Sequence, residues 1–227
     1  MLFTPEYIKN CLKSLNETWF PNELAILYSN SRTELNIRDK FNLHFAKTLK
    51  DNEDYFIQRE WEKRRDLAII RYHNRQTNPV AIFEFKARHA WFIASTERGK
   101  RNGESGYEKT FYGDSGVKNG VLQDIYKQTA YSEKIPCFNI LIGVNPLNRI
   151  PRKYEVYSED CKEIKGINDS FDKFGSAAKI KELCHSNVKR FCDEQEHSFF
   201  AIEYNIGQAL DIEWEMLLWG IYRGFDT

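Results

Sequence analysis

Asp66, Glu84 and Lys86 are the residues of this chain whose types and spacing could do chemistry. Seventeen residues separate the aspartate from the glutamate, and Phe85 alone separates the glutamate from the lysine. They lie in RDLAIIRYHNRQTNPVAIFEFKA, Arg65 to Ala87, which reads as two apolar strands around a polar turn. The second strand is interrupted by an acid and a base where burial should be deepest. Side chains two apart on a strand share a face, so Glu84 and Lys86 point the same way as Val80 and Ile82. A hairpin centred near Gln76 sets Asp66 opposite Lys86 and Ala68 opposite Glu84. Diagonal neighbours at roughly 7–8 Å leave both carboxylates within reach of a common ion. Two anions so placed repel, and burying them unpaired is costly, so a positive group is expected between them. A hard divalent cation suits the gap: Mg²⁺, with Mn²⁺ as a substitute, takes oxygen ligands and keeps sites for water and phosphate. Lys86 would orient or deprotonate the attacking water, or offset charge on the phosphorus. The expected chemistry is phosphodiester hydrolysis. A plain cross-strand salt bridge between Lys86 and Asp66 is the alternative in a chain that is 29% charged.

The elements around this segment have to position it. SRTELNIRDKFNLHFAKTLK places Leu35, Phe41, Phe45 and Leu49 at near-helical spacing, which predicts a helix from about 32 to 50. Ser31 and Glu34 match a capping box, which accounts for Glu34 without a functional role. YFIQREW, DLAIIRY and PVAIFEFKA read as strands, with Asn78-Pro79 marking the turn before the third. Six of the 12 glycines then fall between Gly99 and Gly120, predicting a long loop. VLQDIYKQTAYSEK resumes helical spacing, and PCFNILIGV is a nearly continuous apolar run that suits a strand buried on both faces. A helix between the third and fourth strands makes that pair a parallel crossover in a mixed sheet. Further on, KYEVYS is expected as an edge strand, SAAKIKELCHSNVKRFC as a helix capped by Ser176, and SFFAIEY as a strand. Periodicity leaves QALDIEWEMLLWGIYRG open between helix and strand.

Asp66, then Glu84-Phe85-Lys86 at the end of the apolar run VAIFEFKA, in the order helix, three strands, helix, strand, resembles the core of the PD-(D/E)XK nuclease superfamily, which includes type II restriction endonucleases. The resemblance covers roughly residues 31–144, and VAIFEFKA is its most telling segment. It implies an α/β, restriction-endonuclease-like mixed sheet flanked by helices. It also implies metal ligation by Asp66, Glu84 and the main-chain carbonyl of Phe85, with Lys86 as the catalytic lysine. Arg65, not proline, precedes Asp66, a departure from the superfamily's motif that many members share. Some relatives place a first-helix glutamate near the metal, a second reading of Glu34. Asp124, Lys127 and Tyr131 fall on one face of the following helix, and that face resembles the one the superfamily turns toward its site. Arg88, Arg98, Lys100 and Arg101 are expected to hold a phosphate backbone without choosing a sequence.

Composition frames these expectations. The chain has 227 residues, enough for one domain, with the nuclease core at about 31–144 and a C-terminal elaboration at about 150–227. Its 33 basic and 33 acidic side chains cancel, so net charge alone predicts no polyanion partner. Basic residues crowd the middle, whereas Asp193 to Glu215 holds seven carboxylates and neither Lys nor Arg. No apolar run approaches the roughly 18 residues of a membrane span, and the start lacks the order of a secretory signal, so a cytoplasmic protein with no membrane partner is expected. Five scattered cysteines are expected as thiols. Cys161, Cys184, His185, Cys192 and His197 lack a close C-x-x-C pair and make a poor zinc site. The expected function is a Mg²⁺-dependent endonuclease acting on DNA in a restriction or defence setting, with a homodimer plausible for cutting two strands. The rivals are an RNA nuclease and a nucleic-acid-binding or assembly subunit that has lost cleavage.

Overall fold

The computed structural model describes residues 3–15, 22–30, 34–49, 54–61, 65–97, 105–113, 119–132, 135–157 and 162–223. Three helices come first: α1 (Pro5–Ser14), α2 (Glu23–Asn30) and α3 (Glu34–Leu49). Strands β1 (Tyr55–Trp61), β2 (Arg65–His73) and β3 (Gln76–His89) follow, then short helices α4 (Ala90–Ala94) and α5 (Gly106–Phe111), helix α6 (Val121–Ser132) and strand β4 (Cys137–Pro146). A 3₁₀ helix (Arg152–Tyr157), α7 (Lys162–Phe174), α8 (Ala177–Glu194), β5 (His197–Ala209) and β6 (Ile212–Arg223) complete the described chain.

The protein is α/β, with a six-stranded mixed sheet in the order β1-β2-β3-β4-β6-β5. β3 and β4 pair in parallel and every other neighbour pairs antiparallel. Alternation along β3 sends Ala81, Phe83 and Phe85 into one core and Ile82 into another. The first core also takes Phe41 and Phe45 of α3, whose rings meet Phe83 at 5.3 and 6.0 Å. On the opposite face α4, α6 and α8 cover Leu141, Leu217 and Trp219. Every residue of β4 is buried, as its unbroken apolar run requires.

Several expectations change. The turn between β2 and β3 closes at Asn74-Arg75, with φ values of 51° and 63° that suit a two-residue hairpin. Asn78-Pro79 lies inside β3. Pro79 has no N–H for the ladder, and the register shifts beside it: Ile70 faces Pro79 while Ile69 faces Ala81, leaving Val80 as the extra residue. An earlier turn plus this irregularity set Ala68 against Ile82 and Leu67 against Phe83. Asp66 therefore continues toward Glu84, not Lys86, and Ala68 does not face Glu84. Of KYEVYS, residues 153–157 lie in a 3₁₀ helix instead of an edge strand, started by the Tyr154 N–H bonding the Pro151 carbonyl at 2.9 Å, and Ser158 lies outside the described residues. The glycine-rich stretch contains α5, whose start carries a two-way capping box between Ser105 and Glu108, and α4 lies just before that stretch. The open C-terminal segment is a turn at Leu210-Asp211, both with positive φ, followed by strand β6. Ser31 lies outside the described residues, and so does the capping box expected there.

Candidate active site

The sheet comes apart at one place. β2 pairs with β3 as far as Leu67↔Phe83, while its end stays with β1 through Arg65↔Trp61. Beyond Phe83, β3 keeps β4 on one side, from Glu84↔Asn139 to His89↔Val144, and loses β2 on the other. That edge exposes backbone groups that a sheet interior cannot leave unpaired. Two carboxylates take them. The N–H of Phe85 donates to Asp66 Oδ2 at 2.8 Å, and the N–H of Ala87 donates to Glu34 Oε2 at 2.9 Å. A strand residue turns its N–H and C=O to the same side, so the Phe85 carbonyl lies on this edge between the two carboxylates. The Ala87 carbonyl accepts from Arg88 Nη1 at 3.0 Å.

Helix α3 supplies the outer half of the site. Glu34, Arg38, Phe41 and Phe45 follow one another at i, i+4, i+7 and i+11, so the stripe that fills the core with phenylalanine begins with a carboxylate and a guanidinium. Arg38 is only 5% exposed, and its Nη1 lies 3.3 Å from Asp66 Oδ1. Burial pushes the Glu34 carboxyl above its ordinary value. Its bond from Ala87 and the charges of Lys86 and Arg88 pull the other way, while Asp66 adds to the rise.

Under α6 lies a polar layer. Glu84 and Asp124 are 5% and 6% exposed, and Gln128 and Asn139 are buried with them. Lys86 Nζ pairs with Asp124 Oδ2 at 2.8 Å, and Lys127 holds the other oxygen at 2.6 Å. The amide of Gln128 donates to the Phe138 carbonyl and accepts from Asn139 Nδ2 at 2.9 Å. The carbonyl can only accept, which fixes the orientation of both amides.

The structure thus brings Asp66 to the backbone beside Glu84 and Lys86, and gathers Glu34, Arg38 and Asp124 around them. Lys86 bonds Asp124, not Asp66, so the simple cross-strand bridge is absent. Lys127 is at the site's edge through Asp124. Tyr131 instead packs against the small core of Ala68, Ile70, Ile82 and Cys137. Arg98, Lys100 and Arg101 lie outside the described residues. Spacing reads Glu34 as a cap, the resemblance alone gives it a second reading near the metal, and Arg38 has no local signal. Its one mark was a basic residue on the apolar stripe of α3.

The donors around the split are carboxylate and carbonyl oxygens, a set that suits a hard divalent cation. Asp66 and Glu84 with the Phe85 carbonyl would hold it. Among the described residues, no three His, Cys, Asp or Glu side chains form a metal cluster, so two carboxylates are the most the acidic side chains offer. Of the zinc candidates, Cys184 Sγ donates to the Ala90 carbonyl and His185 accepts from Trp219 Nε1, and Cys161 lies outside the described residues. A cleft of about 230 Å³ lies beside α6, lined by Leu122, Tyr126, Asn139, His197 and Arg223 among others, and none of Glu34, Asp66, Glu84 or Lys86 lines it. No described helix is long and apolar enough to cross a membrane. No family model, no curated protein and no solved structure matches this chain.

Proposed function

We propose that this chain is a Mg²⁺-dependent phosphodiester hydrolase with a restriction-endonuclease-like core, acting on DNA as an endonuclease. The observation that carries this reading is the Asp66 carboxylate on the Phe85 amide, between the acid and the base of the Glu84-Phe85-Lys86 triplet. When bound, Mg²⁺ would supply Lewis-acid polarisation of a phosphoryl oxygen and a water of lowered pKa. Asp66 and Glu84 provide the anionic oxygens and the Phe85 main chain a neutral one. Lys86 carries the positive charge that offsets the negative charge developing on the phosphoryl oxygens. Asp124 fixes where that charge stands. Arg88 closes the outer end of β3, and with Arg98, Lys100 and Arg101 would supply salt-dependent contacts to the phosphate backbone. A restriction or defence setting and a homodimer, which would pair two such sites across a duplex, belong to the same reading.

A second reading has its own observation. Asp66 is paired with Arg38 and Lys86 with Asp124, which suits a nucleic-acid-binding subunit that no longer cuts. Plasmid nicking with Mg²⁺ or EDTA, run beside Lys86→Ala and Asp66→Ala, separates the two. Cleavage that needs Mg²⁺ and both side chains is the expected result. Metal-independent binding with no cleavage would replace the enzyme by the subunit, and cutting confined to labelled RNA would change the substrate.

A further inference from the structure

We propose that Arg38 is an internal competitor for the cation: it pairs with Asp66 and must pass to Asp39 for a divalent ion to bind. This rests on the reading of Asp66 as a cation ligand. Arg38 lies between two carboxylates. Inside, its Nη1 is 3.3 Å from Asp66 Oδ1, the oxygen that the Phe85 N–H does not use. Outside, its Nε is 3.5 Å from Asp39 Oδ1. Neither Arg38 Nε nor Asp39 Oδ1 makes a hydrogen bond, although both atoms are buried. A closer approach between them is therefore chemically open and would satisfy both. Asp39 is also held from the far side by Arg59 Nη1 at 3.2 Å.

A guanidinium in contact with Asp66 and a divalent cation on the same carboxylate repel each other, so binding one weakens the other. Asp39 is the natural second station. It keeps the buried guanidinium paired when Asp66 is taken, which an arginine this buried requires. Arg38 is thus a positioning residue whose partner reports whether the site is loaded.

The test is Mn²⁺ affinity of the full chain without nucleic acid, by calorimetry or by the free-ion EPR signal. Arg38→Gln is expected to bind Mn²⁺ about five- to tenfold tighter than wild type, the scale of one ion pair between surface and interior. Asp39→Asn removes the second station, and its affinity is expected to fall by about threefold on the same scale. Arg38→Lys keeps the charge and should stay near wild type. Unchanged or weaker binding in Arg38→Gln, or unchanged or tighter binding in Asp39→Asn, overturns the proposal. The Asp39 side chain is 43% exposed, so its variant decides the matter even if Arg38→Gln does not fold. If the affinities move as expected and no nucleic acid is cut, the competition stands and the nuclease reading falls. If plasmid is cut and the affinities do not move, the reverse holds. A wild type that binds no Mn²⁺ overturns both.

Discussion

Lys86 Nζ lies 2.8 Å from Asp124 Oδ2, so the base that breaks the apolar run of β3 is matched by an acid on the helix above it. The two ends of this pair are not equivalent. Asp124 also holds Lys127, whereas its removal leaves Lys86, 14% exposed, without that partner. Asp124→Leu is therefore expected to cost about 3–5 kcal/mol, as for a broken buried pair, and Lys86→Met roughly 1–2 kcal/mol. Urea unfolding of both variants checks the order. Equal losses would show that Lys127 does not compensate.

Asp66 serves the fold and the proposed chemistry through different properties. Its oxygens accept the Phe85 N–H and face Arg38. Asp66→Ala leaves a strand-edge donor and a buried guanidinium without that acceptor and should destabilise by about 2–4 kcal/mol. Asp66→Asn retains a carbonyl oxygen for the amide, so its loss should be smaller by about 1 kcal/mol or more. Both should abolish Mg²⁺-dependent cleavage. Chemical denaturation beside the nicking assay separates the two roles.

Glu34 sets a pH dependence with a definite sign. Burial raises its carboxyl above the ordinary value, so the folded chain binds that proton more tightly than the unfolded chain does. The stability this contributes is complete below the unfolded carboxyl's range and is lost as pH rises through the raised value. Glu34→Gln keeps an oxygen for the Ala87 N–H and removes the titration. The variant should gain stability relative to wild type between about pH 4 and neutrality. Urea midpoints across that range test it, and a constant difference would contradict the assignment.

Lys181 offers a contrast away from the site. Its Nζ is 2.9 Å from both Glu203 Oε2 and Glu215 Oε2, and Glu215 also accepts from Asn145 at 2.7 Å. The bond from Lys181 is the main reason the Glu203 carboxyl titrates below its ordinary range. That contribution is present above the unfolded value and lost as pH falls through the depressed one. Lys181→Met should cost about 2 kcal/mol through the stranded Glu215 and flatten the acid side of the stability profile. Mn²⁺ affinity should not change.

The sequence by itself determined the elements of the core. Periodicity and composition mark α3, the β2–β3 hairpin, α6 and the buried β4, because each depends on residues within a few positions of one another. The acid and base in β3 were equally legible, since they break a strict local pattern. What only the tertiary structure decided is register and company. One extra residue at Val80, beside a proline, moves every pair below it, and no local rule places a bulge. Glu34 and Arg38 meet β3 and Asp66 across gaps of 53 and 28 residues. Such meetings arise because separating β2 from β3 leaves backbone donors that must be satisfied, and the start of α3 happens to pack against that edge.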